Sequence, residues 1–578
     1  MFSKLSKIGS AKQDLLAIGA VFLWPFAFFF RYVIPNQTYS RFIGNDFIDL
    51  YYLPKVYLLD KLSSFDFPFW SPSEAAGYPF HSSPFNQAFY PLNLILAVLY
   101  RLLGGYSIVD HQRYAVLAVS LFSVGLYLWL RCLKAGVRSA VLVSLIMGVS
   151  FKIAETLRFP NATHSMAWMP WILWGLTMTL YEGRRIKGGT IVAVSTIMLL
   201  TAGYPYFISY SLFLIGPYLI LLTFSPTRKT LLPGLEIHKA GYLVAVFSSF
   251  SVSLLICLPY LYKVKMLLDQ TTGRKGADFA FSTSKSFTLL DTVGSLLFPP
   301  SAQAEGWYYF GIVCLLILCA YSASLFFNLE GSKAERYLFF IVLAWIGFIS
   351  YITYSSESHL FRLFWTYLPG FSRLRMWARM NIILVPLIAL LLCKAFSWFD
   401  NALGSRAGVL GASSSKAFWR LFSTITGVSF IVFFAQVYLN ATGSFDEYWN
   451  KYFTLYGVEE ISFIYIAVLS SIGVLGVIVL SAVGSAKILR ILRAIALPVL
   501  LVLNIFDIWR IGSIQWSRTY DQFKLDPRRY VERKVMTSCC SIDSPAKTTA
   551  TGLGHTADAP LSTTEGAERE DKKFICFG

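Results

Sequence analysis

Charge is scarce in this sequence. Asp, Glu, Lys and Arg make up 14% of its 578 residues, against roughly 25% in an average soluble domain. So few charges cannot cover a water-soluble surface. The hydrophobic share of 56% excludes disorder for most of the chain. Nucleotide-binding signals are missing as well: there is no Walker loop and no dinucleotide glycine fingerprint. Cysteine does not build a framework. Cys132, Cys257, Cys314, Cys319 and Cys393 lie in or beside apolar runs and read as packing residues, and Cys539, Cys540 and Cys576 lack zinc spacing.

What the chain has is long apolar runs of the roughly 20 residues that a membrane helix needs. The first, Leu15 to Ile34, follows Lys4, Lys7 and Lys12. It is too long for a signal-peptide core and no small-residue cleavage site follows, so it reads as an uncleaved span. Further runs lie near 114–130, 139–154, 166–181, 189–203, 206–224, 240–262, 307–327, 337–354, 381–397, 421–439, 460–484 and 489–509. The pattern predicts an all-α polytopic membrane protein of about 13 spans.

Net charge is +18. In a soluble protein that would suggest nucleic acid as a partner; here it reads as topology, with no nucleic acid expected. With the N-terminus in the cytoplasm, alternate connections are short and basic, beginning with Arg131, Lys134 and Arg138, then Arg184, Arg185 and Lys187. The pattern runs on to Lys487, Arg490 and Arg493. The apolar run Pro91 to Leu103 is too short to span and would invert this pattern, so it reads as a helix lying in the outer interface. The long connections then fall outside, at 35–113, 155–165, 263–306, 355–380 and 440–459, and chemistry is expected there. From about 538 the tail turns rich in Ser, Thr, Ala and Gly, and is expected to be disordered.

The first outer loop is the most informative. It carries Asp46 and Asp49, then Pro68-Phe69-Trp70-Ser71-Pro72, Gly77-Tyr78-Pro79-Phe80 and Asn86-Gln87-Ala88-Phe89-Tyr90-Pro91. On a helix, acids three residues apart share a face. Each feature alone has a plainer reading: the acids as solvated charges or caps, the aromatics as interfacial anchors, Pro and Gly as turn formers. Their order and proximity favour a site.

That ordered set resembles the YfhO-like family of bacterial membrane proteins, which belong with the GT-C superfold glycosyltransferases. The likeness continues in Phe89-Tyr90-Pro91-Leu92-Asn93, Ala167-Trp168-Met169-Pro170-Trp171, Gly203-Tyr204-Pro205, Phe371 to Arg379 and Asp507-Ile508-Trp509-Arg510, and so covers the chain to about residue 520. It implies a GT-C-like helical domain over 1–520, with a short tail over 521–578. Family members usually continue into a longer outer region, and the change of character near 538 is expected to mark a truncated or frameshifted end.

The resemblance implies transfer of a sugar from a polyprenyl-phosphate donor to a glycan or lipid acceptor on the outer face of the bacterial cytoplasmic membrane, with inversion. A nucleotide-sugar donor is not expected. Asp46 is the first candidate for the base that takes the acceptor proton and Asp49 the second. The leaving phosphate needs cations. Outer basic residues that topology does not require are the candidates: Arg373, Arg375 and Arg379 as a group, and Arg158. Trp70, Tyr78, Asn86, Gln87, Tyr90 and His164 are candidates for substrate contacts, with Asp66 and Glu74 as spare acids. Some GT-C enzymes hold a divalent metal through an acidic triplet with one intervening residue. Asp46 and Asp49 lack that spacing, so no obligatory metal or other cofactor is expected. A lipid-linked saccharide flippase and a catalytically silent relative are the alternatives, and oligomeric state is left open.

Overall fold

The computed structural model describes residues 2–34, 43, 46–73, 77–232, 239–270, 278–284, 286–297, 304–326, 332–404 and 498–509. The described residues are helical and carry no strand beyond an isolated Ser71–Tyr78 bridge. Among the described residues six helices are long and apolar enough to cross a membrane, and a bent pair, Val137–Gly148 with Phe151–Arg158, makes a seventh span if counted as one.

The helices that position the site are α1 (Phe2–Phe28), α2 (Leu53–Ser63), α3 (Leu92–Leu103), α4 (Ile108–Cys132), α5 (Val137–Gly148), α6 (Pro160–Ala167), α7 (Met169–Met178), α8 (Arg185–Thr201), α9 (Pro205–Thr223), α10 (Lys239–Gln270), α11 (Ile312–Phe326), α12 (Lys333–Thr353), α13 (Leu384–Gly404) and α14 (Pro498–Trp509). Of these, α4 is a central pillar. Ser107 caps its start in a reciprocal capping box with Asp110. Its far end is tied to α1, where the Arg131 guanidinium donates to both Asp14 oxygens at 2.8 and 3.2 Å. Tyr127 donates to the same carboxylate at 2.5 Å. Trp24 of α1 donates to the Leu145 carbonyl of α5, closing this group of helices. Such side chain–backbone bonds matter in a bilayer, where packing rather than water expulsion joins helices.

Not every apolar run becomes a spanning helix. The run 166–181 yields α7, only 10 residues long, because Pro170 restarts the helix after a break at Trp168. At 1.5 Å per residue such a helix covers about half of a ~30 Å hydrocarbon core. The run 189–203 yields α8, of 17 residues. The runs 421–439 and 460–484 and the tail from 510 lie outside the described residues, and α14 is the described part of the run 489–509.

The run Pro91 to Leu103 does form a short helix, α3, of 12 residues. Leu94, Ile95, Val98, Leu102 and Leu103 leave most of their surface uncovered. Its inner side is tethered to α2, where Tyr100 donates to Asp60 and Arg101 to the Ser63 carbonyl. An apolar face of this kind, on a helix too short to span, suits a position along the membrane interface.

Between α11 and α14 the joint is polar. Asp507 accepts from the Tyr309 hydroxyl at 2.6 Å and from the Ile312 amide at 2.9 Å. Asn504 accepts from the Cys314 amide at 3.1 Å and donates to the Phe310 carbonyl at 2.9 Å. Two side chains of α14 thus satisfy free amides at the start of α11.

Candidate active site

The segment after the first span begins with Asp46, which is exposed, and runs through a wide helical turn, Phe47–Tyr52, into α2. Phe47, Ile48 and Tyr51 are buried against the bundle, so this turn is anchored while Asp46 faces outward. The Asp49 side chain lies outside the described residues, as does Glu74. Asp66 is paired with Lys61 at the surface.

A buried polar network pins the rest of the loop. The Lys55 amine donates to Gln87 Oε1 at 2.5 Å and to Asn93 Oδ1 at 2.8 Å, and lies over the Tyr114 ring. Burial pushes the Lys55 amine well below its usual range. Gln87 in turn donates to the Ala202 carbonyl at 2.5 Å, carrying the loop onto the end of α8. Tyr90 is held by His164 Nδ1 at 3.0 Å and by Trp168 Nε1 at 2.9 Å. The other His164 nitrogen meets the Tyr114 carbonyl at 3.0 Å. Asn86 donates to the Phe80 carbonyl and to Tyr78.

The six candidates for substrate contacts therefore divide. Asn86, Gln87, Tyr90 and His164 are buried with these protein partners. Trp70 is more than half exposed, with its ring laid on Gly77, and Tyr78 is part-buried beside it. Gly77 has φ +103°, and a Cβ there would strike the Trp70 indole. Gly203 is a second such position. It has φ +86°, and a Cβ would meet the Pro84 carbonyl, so a side chain would push the loop off α8.

The charged candidates divide too. Arg373 pairs with Asp269 at 3.3 Å at the surface, and Arg375 lies over the Phe281 ring. Arg158 and Arg379 come together elsewhere, around Glu305. Arg158 Nη2 donates to Glu305 Oε1 at 2.6 Å and Arg379 Nε to Glu305 Oε2 at 2.5 Å. Arg158 also holds Glu155 at 2.8 Å, and Lys152 pairs with Glu155 at 3.4 Å while donating to the Glu305 carbonyl. Burial alone would raise the Glu305 carboxyl. The Arg379 and Arg158 charges beside it outweigh that and hold it down to about 2.

The frame around this cluster is aromatic. Arg379 Nη1 donates to the Tyr204 hydroxyl at 2.7 Å, and its guanidinium lies over Phe159, Tyr204 and Tyr206 at 5.1 to 5.9 Å from the ring centroids. Arg158 lies over Phe159 at 4.4 Å. Glu305 itself is set by the short turn Ala304–Gly306, whose Gly306 carbonyl accepts from Asn381 at 2.8 Å. Tyr51 joins this cluster to the first loop. Its phenol is driven up by burial and by Tyr204 and Asp46, against the opposing pull of Arg379 and Arg158. The Tyr51 ring stands edge-on to Phe159, with centroids 6.3 Å apart, and Phe159 is the ring over which both guanidiniums lie.

Lys152, Glu155 and Glu305 were not singled out from the sequence. A signal existed for two of them: Lys152, Glu155 and Arg158 are spaced three apart, which places all three on one helical face. Nothing local marks Glu305. Among the described residues no three His, Cys, Asp or Glu side chains group as a metal site.

No family model matches the chain, and no curated protein matches it. Among solved structures it is similar to ArnT from Cupriavidus metallidurans bound to undecaprenyl phosphate, with 12% identity and a TM-score of 0.41 over 87% of this chain and 77% of that one. It is also similar to the arabinofuranosyltransferase AftD from Mycobacteria, with 15% identity and a TM-score of 0.38 over 72% of this chain and 28% of that one.

Proposed function

We propose that the chain is a membrane glycosyltransferase of the GT-C class, moving a sugar from a polyprenyl-phosphate donor to a glycan or lipid acceptor on the extracytoplasmic face of a bacterial cytoplasmic membrane. The observation that carries this reading is the meeting of Arg158 and Arg379 at Glu305, over the Phe159 ring that Tyr51 of the first loop packs against. A glycosyl phosphate needs no strong acid to leave, because its oxygen accepts the bonding electrons as charge. It needs fixed cations in a site of low dielectric. Two guanidiniums stacked on Phe159, Tyr204 and Tyr206 supply them.

In this reading Asp46 takes the proton of the acceptor hydroxyl. The hydroxyl oxygen attacks the anomeric carbon from the face opposite the phosphate. The carbon–oxygen bond to phosphate breaks, and polyprenyl phosphate leaves with its new charge facing Arg158 and Arg379. The configuration inverts because attack and departure are in line. Trp70, which is more than half exposed, and the part-buried Tyr78 offer flat faces for a sugar ring. Asp49 is the second candidate for the base.

The test replaces Asp46 and Asp49 singly by Asn and follows transfer of labelled sugar in membranes supplied with polyprenyl-phosphate sugars. A loss of about a hundredfold or more in one variant is expected of a general base. Full activity in both removes the proposed base.

A further inference from the structure

The Arg379 guanidinium is held on two sides. Its Nε is bound to Glu305 and its Nη1 to Tyr204, while Nη2 donates to none of the described residues. Glu305 therefore does two things. It fixes the plane of Arg379, leaving Nη2 for an incoming anion, and it places a carboxylate between the two guanidiniums that this anion approaches. The Glu305 and Arg379 side chains keep only 17% and 14% of their surface, so solvent screens this carboxylate less than it would a surface one.

The two phosphates of a polyprenyl-phosphate glycosyl transfer differ in charge. The donor is a phosphodiester and carries one negative charge. The product is a phosphate monoester, whose second ionisation lies near pH 6, and it carries close to two. A site with two guanidiniums and no carboxylate would hold the product more tightly than the donor, and turnover would stall on release.

Resting on the function proposed above, we infer that Glu305 is a specificity-determining residue that sets the preference of the Arg158–Arg379 site for a singly charged phosphodiester over a doubly charged phosphomonoester. Its carboxylate takes up part of each guanidinium's charge and repels the second charge of the product. Glu305 touches neither the sugar nor the acceptor in this scheme. It works through the two arginines.

The experiment uses the full chain in lipid nanodiscs and two probes, a short-chain polyprenyl phosphate and its methyl diester. Dissociation constants are measured at pH 5 and pH 8 for the wild type, Glu305→Gln and Glu305→Asp. The quantity read is the monoester-to-diester affinity ratio, which a general loss of folding or packing does not change. In Glu305→Gln the ratio at pH 8 is expected to shift toward the monoester by about tenfold or more. At pH 5, where the monoester carries one charge, the shift collapses. Glu305→Asp, which keeps the charge, stays near the wild-type ratio. A Glu305→Gln ratio equal to that of the wild type at pH 8 overturns the inference while leaving the proposed function standing. Failure of the wild type to bind either probe overturns the proposed function, and the inference with it.

Discussion

Arg158 and Arg379 grip opposite oxygens of one carboxylate, Glu305, at 2.6 and 2.5 Å. This shared partner brings together two arginines from distant parts of the chain and fixes the orientation of both. A planar fork is required at Arg379, because its Nε serves Glu305 while Nη1 serves Tyr204. A lysine ammonium is a single point charge and cannot reproduce both directions. Arg379→Lys and Arg379→Gln are therefore both expected to weaken binding of a polyprenyl phosphate by about tenfold or more. Equilibrium binding to the full chain in nanodiscs checks this. Wild-type affinity in Arg379→Lys would show that charge alone suffices and that the fork is irrelevant.

Glu305 also predicts a pH dependence of stability. Its carboxyl is held at about 2, below the usual 4.5, so folding favours the ionised form. The stabilisation is fully present above about pH 4.5 and is lost as pH falls toward 2. The gap in thermal unfolding midpoint between wild type and Glu305→Gln is expected to be constant from pH 8 to 5 and to narrow below that. A gap that widens on acidification contradicts the ion cluster described here.

Gly203 holds the first loop against the end of α8. With φ at +86° and the Pro84 carbonyl in the way of a Cβ, Gly203→Ala is expected to cost more than about 1 kcal/mol in unfolding free energy. It also loosens the Gln87 bond to Ala202. Denaturant unfolding in detergent measures the first effect, and protease sensitivity of the 77–91 segment measures the second.

His164 and Trp70 are expected to fail in different ways. His164 is fully buried, joining Tyr90 to the Tyr114 carbonyl. Its loss leaves the buried Tyr90 hydroxyl with only the Trp168 indole as a partner, at about 1–3 kcal/mol. Trp70 lies at the loop surface. His164→Ala is expected to lower the unfolding midpoint markedly. Trp70→Ala is expected to leave the midpoint closer to wild type while raising the KM for acceptor. Equal losses of stability in both variants would remove Trp70 as an accessible ring face.

The helices were legible in the sequence because apolar run length is a direct demand of the bilayer: the runs near 114–130, 206–224, 240–262, 337–354 and 381–397 match α4, α9, α10, α12 and the α13 region, with two of them passing a helix end by one residue. Breaks were harder to see. Pro170 turned one run into the short α7, and a bend separates α5 from Phe151–Arg158. At the site, Arg158 and Arg379 stood out as outer cations that topology does not need. Which basic residues meet was not legible, since Arg373 and Arg375 lie close to Arg379 in sequence yet turn to Asp269 and Phe281. Glu305 was invisible for the same reason: its partners come from other segments of the chain. Gln87, Tyr90 and His164 have the polarity of ligand contacts, and only their burial reveals that they fasten the loop.

Sugar transfer by the purified chain tests the central claim most directly. Full-length protein is reconstituted in lipid vesicles with polyprenyl-phosphate sugars and a mixture of cell-envelope glycan and lipid acceptors, and release of free polyprenyl phosphate is measured. Acceptor-dependent release by the wild type is expected, and Asp46→Asn and Arg379→Gln are expected to abolish it without loss of folded protein. Release that is absent from the wild type, or that persists undiminished in both variants, contradicts that claim.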